Sequence, residues 1–272
     1  MKRWFPIGVV AALAALSAVC AGGVVRAAGA PPADVISCPA GADHPDPAVL
    51  IKRFEQLLRG QSMIATMTMT VKTPSWTRKL KFKVWSKGKD YALVRILEGA
   101  ASETGMMTLK REKQLWTWLP QAGRLMKLPS SMMGDSWMGS DFTNDDLVNG
   151  SSLTDDFDSS FVGVVTQDGR EAWKVSLKPK PNAVVVWGRI EALIDRQNCE
   201  PLAEFYYDED NKLVRRMLFA NYRQFGWRMM PMKMSVVPAE PGHETAIDYE
   251  DVQFDVAVPE NTFSLERLRQ GR

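Results

Sequence analysis

Along most of this chain, apolar and polar residues alternate with a period of two. Every second residue is apolar between Ser62 and Lys72, and in the next segment Leu80, Phe82 and Val84 alternate with lysines. Such alternation is typical of a strand with one buried face and one wet face. Similar segments, separated by turn residues, recur as far as Val256 with almost no helical pattern between them. The pattern therefore predicts a mainly β protein with a largely antiparallel sheet.

One amphipathic helix is predicted before the first strand. Asp46 is suited to cap it, Pro47 suits its first turn, and Gly60 lies just past its end. A second, shorter helical turn is predicted at residues 144–148. Neither an internal repeat nor a shift in composition marks a domain boundary. Residues 46–272 are therefore predicted to form one domain, preceded by a tail at residues 28–45.

The central segment, Leu125 to Leu147, breaks the alternating pattern. It carries methionines and aromatic residues but is interrupted by Pro129, Gly134 and Gly139, so neither the strand period nor the helix period runs through it. Long irregular segments are uncommon in compact domains and often act as lids or binding loops. We interpret the central segment as a lid over an apolar surface. The alternative is a surface crossover whose methionines only fill the edge of the core.

The N-terminus has the features of a secretory signal peptide over residues 1–27. Lys2 and Arg3 precede an apolar run, and Val25-Arg26-Ala27 fits the small-residue cleavage pattern. The alternatives are a retained membrane anchor, for which the apolar run is short, and lipid attachment at Cys20, whose preceding residues fit poorly. Cleavage would remove three basic residues and change the formal charge from +2 to −1. The mature chain is then nearly neutral and offers no basic surface for nucleic acid.

Two cysteines, Cys38 and Cys199, remain after such a cleavage, in what would be an oxidising compartment. A disulfide between them would connect the segment before the first helix to a strand far along the chain. Pairing depends on geometry that a sequence does not supply. Two free thiols are therefore the alternative.

Residue types needed for catalysis or metal binding are sparse. The only histidines are His44 and His243, and no G-x-S-x-G motif accompanies the serines. No cysteine or histidine pair has ligand spacing, the acidic runs at residues 155–158 and 208–210 lack the spacing of a calcium loop, and a phosphate-binding glycine loop is absent. We therefore expect no enzyme activity, no catalytic residue, no metal and no cofactor.

Methionine is abundant instead, with 15 residues in the chain. Several lie at alternate positions of two predicted strands, and flexible thioether side chains adapt to ligands of variable shape. If these faces and two tryptophans border one concavity, the sheet would hold an acyl-chain-sized apolar site under the helix and the central segment. A solid methionine-rich core is the alternative. The candidate lipid-binding residues are Met67, Met69, Leu80, Phe82, Val84, Trp116, Trp118, Met132, Met133, Trp137, Met138, Phe142, Met230, Met232 and Met234.

A set of short blocks runs through nearly all of the mature chain: Trp116-Thr117-Trp118-Leu119-Pro120, Met138-Gly139-Ser140-Asp141-Phe142, Asp145-Asp146-Leu147, Phe205-Tyr206-Tyr207-Asp208 before Lys212-Leu213-Val214, Pro231-Met232-Lys233, and Phe254 with Pro259 and Phe263. With these blocks the chain resembles the LolA-like outer-membrane lipoprotein-sorting proteins of Gram-negative bacteria, in their broader subgroup. The second block is the most specific. The resemblance implies an antiparallel, unclosed β-barrel with a few short helices covering its concave face.

The resemblance also implies a function in the periplasm. Members of the family bind lipid or lipoprotein acyl chains and move them between inner-membrane machinery and the outer membrane. The expected partners are therefore such acyl chains and an inner-membrane transporter, and a monomer is expected. The gating arginine of the best-studied carrier has no identifiable counterpart here, so no residue is assigned to lid gating. The alternative is a periplasmic interaction subunit of a transporter complex, with a solid core.

Overall fold

The computed structural model describes residues 35–148 and 153–271, so the signal peptide predicted at residues 1–27 lies outside the described residues. Within these residues, thirteen strands form one sheet and four short α-helices accompany it. The helices are α1 (Pro47–Arg59), α2 (Asn144–Val148), α3 (Leu153–Asp156) and α4 (Leu265–Arg269). The strands are β1 (Ser62–Lys72), β2 (Thr77–Lys87), β3 (Tyr91–Glu98), β4 (Met107–Arg111), β5 (Gln114–Leu119), β6 (Arg124–Lys127), β7 (Phe157–Gln167), β8 (Arg170–Pro179), β9 (Arg189–Asp195), β10 (Pro201–Tyr207), β11 (Leu213–Phe225), β12 (Arg228–Pro238) and β13 (Glu244–Phe254).

The sheet consists of two meanders joined by the first and the last strand. Its order is β6-β5-β4-β3-β2-β1-β13-β12-β11-β10-β9-β8-β7, and each pair of neighbours is antiparallel. The edge strands β6 and β7 do not pair with each other among the described residues, so the barrel is not closed. The predicted fold class, a mainly β, antiparallel and unclosed barrel with a few short helices, is therefore confirmed.

The alternation along the strands sends side chains to two faces of the sheet. The inner face carries α1 and the central segment. Met67, Phe82 and Phe219 from three strands share one buried cluster there with Leu50 and Phe54 of α1. Burial of this large apolar surface is the main free-energy source that holds the helix against the sheet.

The outer face of β3 to β5 is covered by the C-terminal part of the chain. Leu93 and Leu109 form a second buried cluster with Val258, Phe263 and Leu268. These last three residues belong to the stretch around α4, a helix that the sequence analysis did not predict. This half of the sheet is therefore apolar on both faces.

Helix α1 begins and ends where the sequence predicts. The carboxylate of Asp46 accepts hydrogen bonds from the backbone amides of Ala48 at 2.9 Å and Val49 at 3.5 Å. Pro47 occupies the first helical position, and Gly60 follows the last residue with a φ of 66°, a left-handed value that glycine tolerates. Across residues 35–148 and 153–271, no helix has both the length and the apolar character needed to cross a membrane.

The first residues of the central segment are regular, so the prediction that it is irregular from Leu125 onwards was wrong. Leu125 pairs with Trp118, and residues 125–127 complete β6 at the edge of the sheet. Four residues are too few for a period to emerge from sequence alone. From Leu128 onwards the segment crosses the inner face through two 3-10 helices, Ser130–Met132 and Trp137–Gly139, and ends in α2, which is the predicted helical turn.

Part of the predicted N-terminal tail is tied to the sheet; residues 28–34 lie outside the described residues. The amide of Ile36 donates to the side chain of Gln56 at 3.0 Å, and the indole of Trp173 donates to the carbonyl of Ala42 at 2.8 Å. Cys38 and Cys199 form a disulfide, with Cα atoms 5.7 Å apart. The disulfide therefore joins the segment before α1 to the turn between β9 and β10.

Candidate functional site

A cavity of about 280 Å³ lies between the inner face of the sheet, α1 and the central segment. Phe54 and Leu58 of α1 border it on one side, and Trp137 and Phe142 of the central segment border it on another. The sheet supplies further side chains from β1 to β4 and from β10 to β13. Sites for small organic ligands commonly measure about 300 to 1,000 Å³. This cavity lies just below the lower end of that range, a size that suits one slender apolar ligand.

Ten of the predicted lipid-binding residues lie at the cavity or in the core around it. Those that border the cavity are Met67, Phe82, Val84, Trp137, Phe142 and Met234. Those that pack in the same core without bordering the cavity are Met69, Leu80, Met138 and Met230. The fold thus brings together residues from distant parts of the chain. Period-two alternation and the apolar character of the central segment were the sequence signals that identified them.

The two tryptophans of β5 lie elsewhere, so the prediction that they border the concavity was wrong. Trp116 pairs with Leu109, a residue of the outer face, and packs in the cluster that the C-terminal residues cover. Trp118 packs in the same outer cluster. Directly paired residues of antiparallel strands share a face, so Trp116 lies on the same face as Leu109. The alternation within β5 shows which residues share a face but not which of the two faces is the inner one.

Three predicted methionines also lie away from the cavity. Met132 is 41% exposed, Met133 is half-buried, and neither borders the cavity. Met232 is buried in β12 but does not border the cavity, whereas Met234 does. The central segment thus contributes its second half to the cavity wall, while its first half lies nearer to solvent.

Sequence reasoning missed several residues of the cavity wall. The apolar ones include Met217, Phe219, Ile247 and Tyr249. Each continues a period-two stripe of its own strand, so the same signal that identified Met67 could have identified them. The polar ones include Lys110, Ser86 and Glu204, which a search for apolar stripes passes over.

Polar contacts hold the central segment on the inner face. Arg215 of β11 forms a buried ion pair with Asp146 of α2, with Nη2 and Oδ1 2.5 Å apart. The hydroxyl of Thr245 donates to the carboxylate of Asp141 at 2.7 Å and accepts from the amide of Asp141 at 2.9 Å. Arg78 of β2 donates to the carbonyl of Met138. Three different strands therefore hold one crossing segment.

Apolar contacts supplement these hydrogen bonds. The ring of Trp137 stands edge-on to Phe82, with centroids 5.9 Å apart, and its indole nitrogen donates to the hydroxyl of Thr108 at 3.3 Å. The guanidinium of Arg215 lies 4.4 Å from the ring centroids of both Trp187 and Tyr206. Such cation–π contacts favour a buried guanidinium. Packing and charge pairing together therefore hold the segment on the inner face.

One carboxyl group lies in the cavity wall on the side of β10. Glu204 is 3% exposed, and its Oε2 accepts a hydrogen bond from the hydroxyl of Tyr206 at 2.7 Å. Its Oε1 has no hydrogen-bond partner among the described residues. Burial raises the pKa of Glu204 to about 7, although Tyr206 and Arg215 act in the opposite direction. This side of the cavity therefore changes charge near neutral pH.

A lysine lies in the wall on the side of β4. Lys110 is 4% exposed and borders the cavity together with Ser86 of β2 and Arg59 of α1. Burial and the neighbouring Arg59 lower the pKa of Lys110 to about 8. The cavity is thus an apolar space with a carboxyl group in one wall and a lysine in another. Among residues 35–148 and 153–271, no group of three or more His, Cys, Asp or Glu side chains is arranged to hold a metal ion.

Comparison with known proteins identifies the fold. A family model described as "Uncharacterized protein" matches residues 88–270, more than half of the chain. No curated protein matches the chain by sequence. The solved structures similar to it include a DUF1329 family protein from Desulfovibrio piger, at 23% identity and a TM-score of 0.75, with 82% of this chain and 100% of that chain covered.

Two further similar structures carry more specific descriptions. One is described as an outer membrane lipoprotein-sorting protein domain from Vibrio parahaemolyticus, at 21% identity and a TM-score of 0.72, with 82% of this chain and 97% of that chain covered. The other is a LolA superfamily protein from Nitrosomonas europaea, at 18% identity and a TM-score of 0.70, with 81% of this chain and 98% of that chain covered. These similarities cover more than four fifths of this chain and nearly all of each of the other chains, so the shared feature is the fold.

Proposed function

We propose that this chain, which belongs to the family matched over residues 88–270 and has a LolA-like fold, is a periplasmic carrier for lipid or lipoprotein acyl chains. In this proposal the carrier takes the chain from inner-membrane machinery and delivers it towards the outer membrane. It binds the chain in the cavity under the central segment and needs no covalent chemistry to do so.

The observation that carries the proposal is the cavity itself. It lies between a helix and a crossing segment on the inner face, and apolar and aromatic side chains, eight of them phenylalanine or methionine, make up most of its border. The apolar part of such a cavity favours an apolar ligand over water. A flexible methionine side chain adjusts to a chain of variable length at little cost.

The energetics fit reversible transfer. Each methylene that moves from water into the cavity gains roughly 0.8 kcal/mol, whereas a methylene that moves from a bilayer gains almost nothing because lipid tails are equally apolar. Uptake from a membrane is therefore close to balance. Small contributions from the central segment and from polar groups in the cavity wall then decide whether the chain is held or released.

The central segment is the proposed gate. Its second half borders the cavity through Trp137 and Phe142, and Arg215, Arg78 and Thr245 hold it on the sheet. An acyl chain longer than the closed cavity accommodates would displace this segment. Ion pairs and hydrogen bonds are suited to that task because water replaces them when the segment lifts.

An interaction subunit with a solid core was the alternative. The outer side of the sheet at Trp116 and Trp118 is filled by C-terminal residues, as that alternative requires. The inner face nevertheless contains a cavity of about 280 Å³, which a purely structural subunit does not need. This feature favours the carrier.

Native mass spectrometry of the purified protein tests the proposal. We expect a mass increment from one bound lipid, which organic extraction removes, and we expect the delipidated protein to take up one equivalent of a fluorescent fatty acid. Repeated absence of lipid together with absence of uptake contradicts the carrier function.

A further inference from the structure

One row of side chains on the inner face ends in a lysine. The register pairs Met63 with Ser86, Ser86 with Ala92, and Ala92 with Lys110, across β1 to β4. Because directly paired residues share a face, these four side chains line up across the inner face. All four border the cavity. The small side chains of Ser86 and Ala92 leave room over the sheet between Met63 and Lys110.

Ser86 and Lys110 bring hydrogen-bond donors to this wall. They are 7% and 4% exposed. The hydroxyl of Ser86 has no hydrogen-bond partner among the described residues, although buried hydroxyl groups usually have one. A lysine ammonium group carries three donors. A ligand oxygen at this end of the cavity would satisfy the hydroxyl of Ser86, which lies in the same row of side chains as Lys110.

The charges around this end favour an anion. Arg59 and Lys89 border the cavity here together with Lys110. Carboxylates are also near: Lys89 pairs with Asp155, Asp90 and Asp156 act on Lys110, and Glu55 acts on Arg59. However, none of these four carboxylates borders the cavity, whereas the three basic side chains do. The carboxylates that do border it belong to β10 and α2, so an anionic group at the Lys110 end of the cavity would meet positive charge first.

We propose that Lys110 and Ser86 bind the anionic head group, a carboxylate or a phosphate, of a single-chain lipid whose acyl chain fills the rest of the cavity. This inference rests on the proposed carrier function and adds the class of ligand. Lys110 and Ser86 donate hydrogen bonds to oxygens of the head group. A neutral lipid of the same length fills the apolar part but provides no negative charge for Lys110.

The ionisation of Lys110 should make binding of the anionic lipid depend on pH. Burial and Arg59 lower the pKa of Lys110 to about 8, Lys89 acts in the same direction, and Asp90 and Asp156 act against it. Lys110 is therefore mostly protonated at about pH 7 and mostly neutral near pH 10, while a carboxylate head group stays charged throughout. Affinity for the anionic lipid falls over this range. Affinity for a neutral lipid does not follow the same curve.

Three ligands with one common chain test the inference: laurate, dodecyl phosphate and dodecanol. Isothermal titration calorimetry on the delipidated full chain at pH 7 is expected to show at least one anion binding roughly tenfold or more tightly than dodecanol, as a charge-assisted hydrogen bond provides. The tighter anion identifies the head group as carboxylate or phosphate. Raising the pH to 10 should remove most of this preference.

Substitutions at one position separate charge from shape. Lys110→Met keeps the long apolar stem without the charge, so it should abolish the preference for the anion and keep the affinity for dodecanol within about twofold. Lys110→Arg should retain the preference. Lys87→Met is the matched control, because Lys87 lies on the same strand as Ser86 and does not border the cavity.

The outcomes distinguish the two proposals. Equal affinity of the wild-type protein for laurate, dodecyl phosphate and dodecanol overturns the head-group site and leaves the carrier function standing. Failure of all three ligands to bind contradicts both. The wild-type comparison and its pH dependence decide the matter even if Lys110→Met does not fold.

Discussion

The guanidinium of Arg215 on β11 and the carboxylate of Asp146 on α2 form a two-point ion pair, with distances of 2.7 Å between Nη1 and Oδ2 and 2.5 Å between Nη2 and Oδ1. Their side chains are 4% and 9% exposed. The same guanidinium donates to the carbonyl of Asp141 at 3.0 Å. One arginine therefore holds the central segment to the sheet at two places.

Asp146→Asn should loosen this attachment. Asparagine keeps the size and a hydrogen bond but removes the charge, so we expect a loss of about 1–3 kcal/mol in the free energy of unfolding, less than the full cost of a broken buried pair. Uptake of a fluorescent fatty acid, followed by stopped-flow mixing, should become several-fold faster. Asp135→Asn, at an exposed position of the same segment, is the control. Lower stability with an unchanged uptake rate would show that the pair does not gate the cavity.

Val94→Phe should fill the cavity. Val94 borders it from β3, and the added ring has open space to enter, so the stability change should stay within about 1–3 kcal/mol. Binding of an acyl chain, measured by fluorescence titration, should weaken by tenfold or more. Val214→Phe places the same substitution on an exposed position of β11 and should bind as the wild type does. Undiminished binding by Val94→Phe would locate the ligand elsewhere.

Two aspartate substitutions in the central segment should differ. Phe142 borders the cavity and Met138 does not, although both belong to the same sequence block. Phe142→Asp places a carboxylate in the cavity wall, so it should weaken uptake more strongly than it lowers the thermal midpoint. Met138→Asp should affect uptake much less. A loss of uptake that matches the loss of stability in both variants would make the segment ordinary core.

The stability of the protein should depend on pH through Glu204. Its pKa is raised from 4.5 to about 7, with burial as the main cause; Asp146 and Glu55 add to the increase, and Tyr206 and Arg215 oppose it. The unfolded chain therefore loses this proton first as the pH rises. Ionisation of Glu204 should therefore lower the free energy of unfolding by about 3 kcal/mol between about pH 4.5 and pH 7. Above pH 7 this group should change the free energy of unfolding little.

Glu204→Gln tests this assignment because it removes the titrating group and keeps the shape. Urea unfolding at pH 5 and pH 8 should show a smaller difference for the variant than for the wild type. The free energy of unfolding of the variant, relative to that of the wild type, should be higher at pH 8 than at pH 5. An identical pH dependence in both proteins would assign the effect to other groups.

Loss of the disulfide should lower stability considerably. Cys38 and Cys199 are 161 residues apart in sequence, and loop-closure entropy predicts about 5 kcal/mol as an upper value for so long a loop. Replacing both cysteines by serine should lower the denaturant midpoint. Ligand affinity should be retained because neither cysteine borders the cavity. A double variant with wild-type stability would contradict the entropic account.

Much of the fold is predictable because local chemistry decides it. Asp46, Pro47 and Gly60 fix the ends of α1, and the alternation from Ser62 to Lys72 fixes which face of β1 is buried. Which residues of two neighbouring strands pair, and which face of the sheet they share, depends on distant parts of the chain and not on local sequence. Trp116 alternates as regularly as Met67 does, but the C-terminal residues give its face a second apolar layer to pack against.

The polar groups of the cavity were harder to predict for a related reason. Glu204 lies in a strand whose residues are almost all buried, from Pro201 to Tyr206, so no alternation separates its two faces. Lys110 comes directly before Arg111, so the sequence reads there as the solvated end of a strand. Only the register from Met63 through Ser86 and Ala92 shows that Lys110 belongs to the cavity wall.

The most direct test of the central claim is a crystal structure with a bromine-labelled fatty acid. Anomalous scattering locates the bromine without assumptions about the rest of the ligand. We predict one bromine peak between α1 and the central segment, beside Phe82, Phe142 and Phe219. A ligand that binds in solution but whose bromine lies outside this cavity would contradict the account.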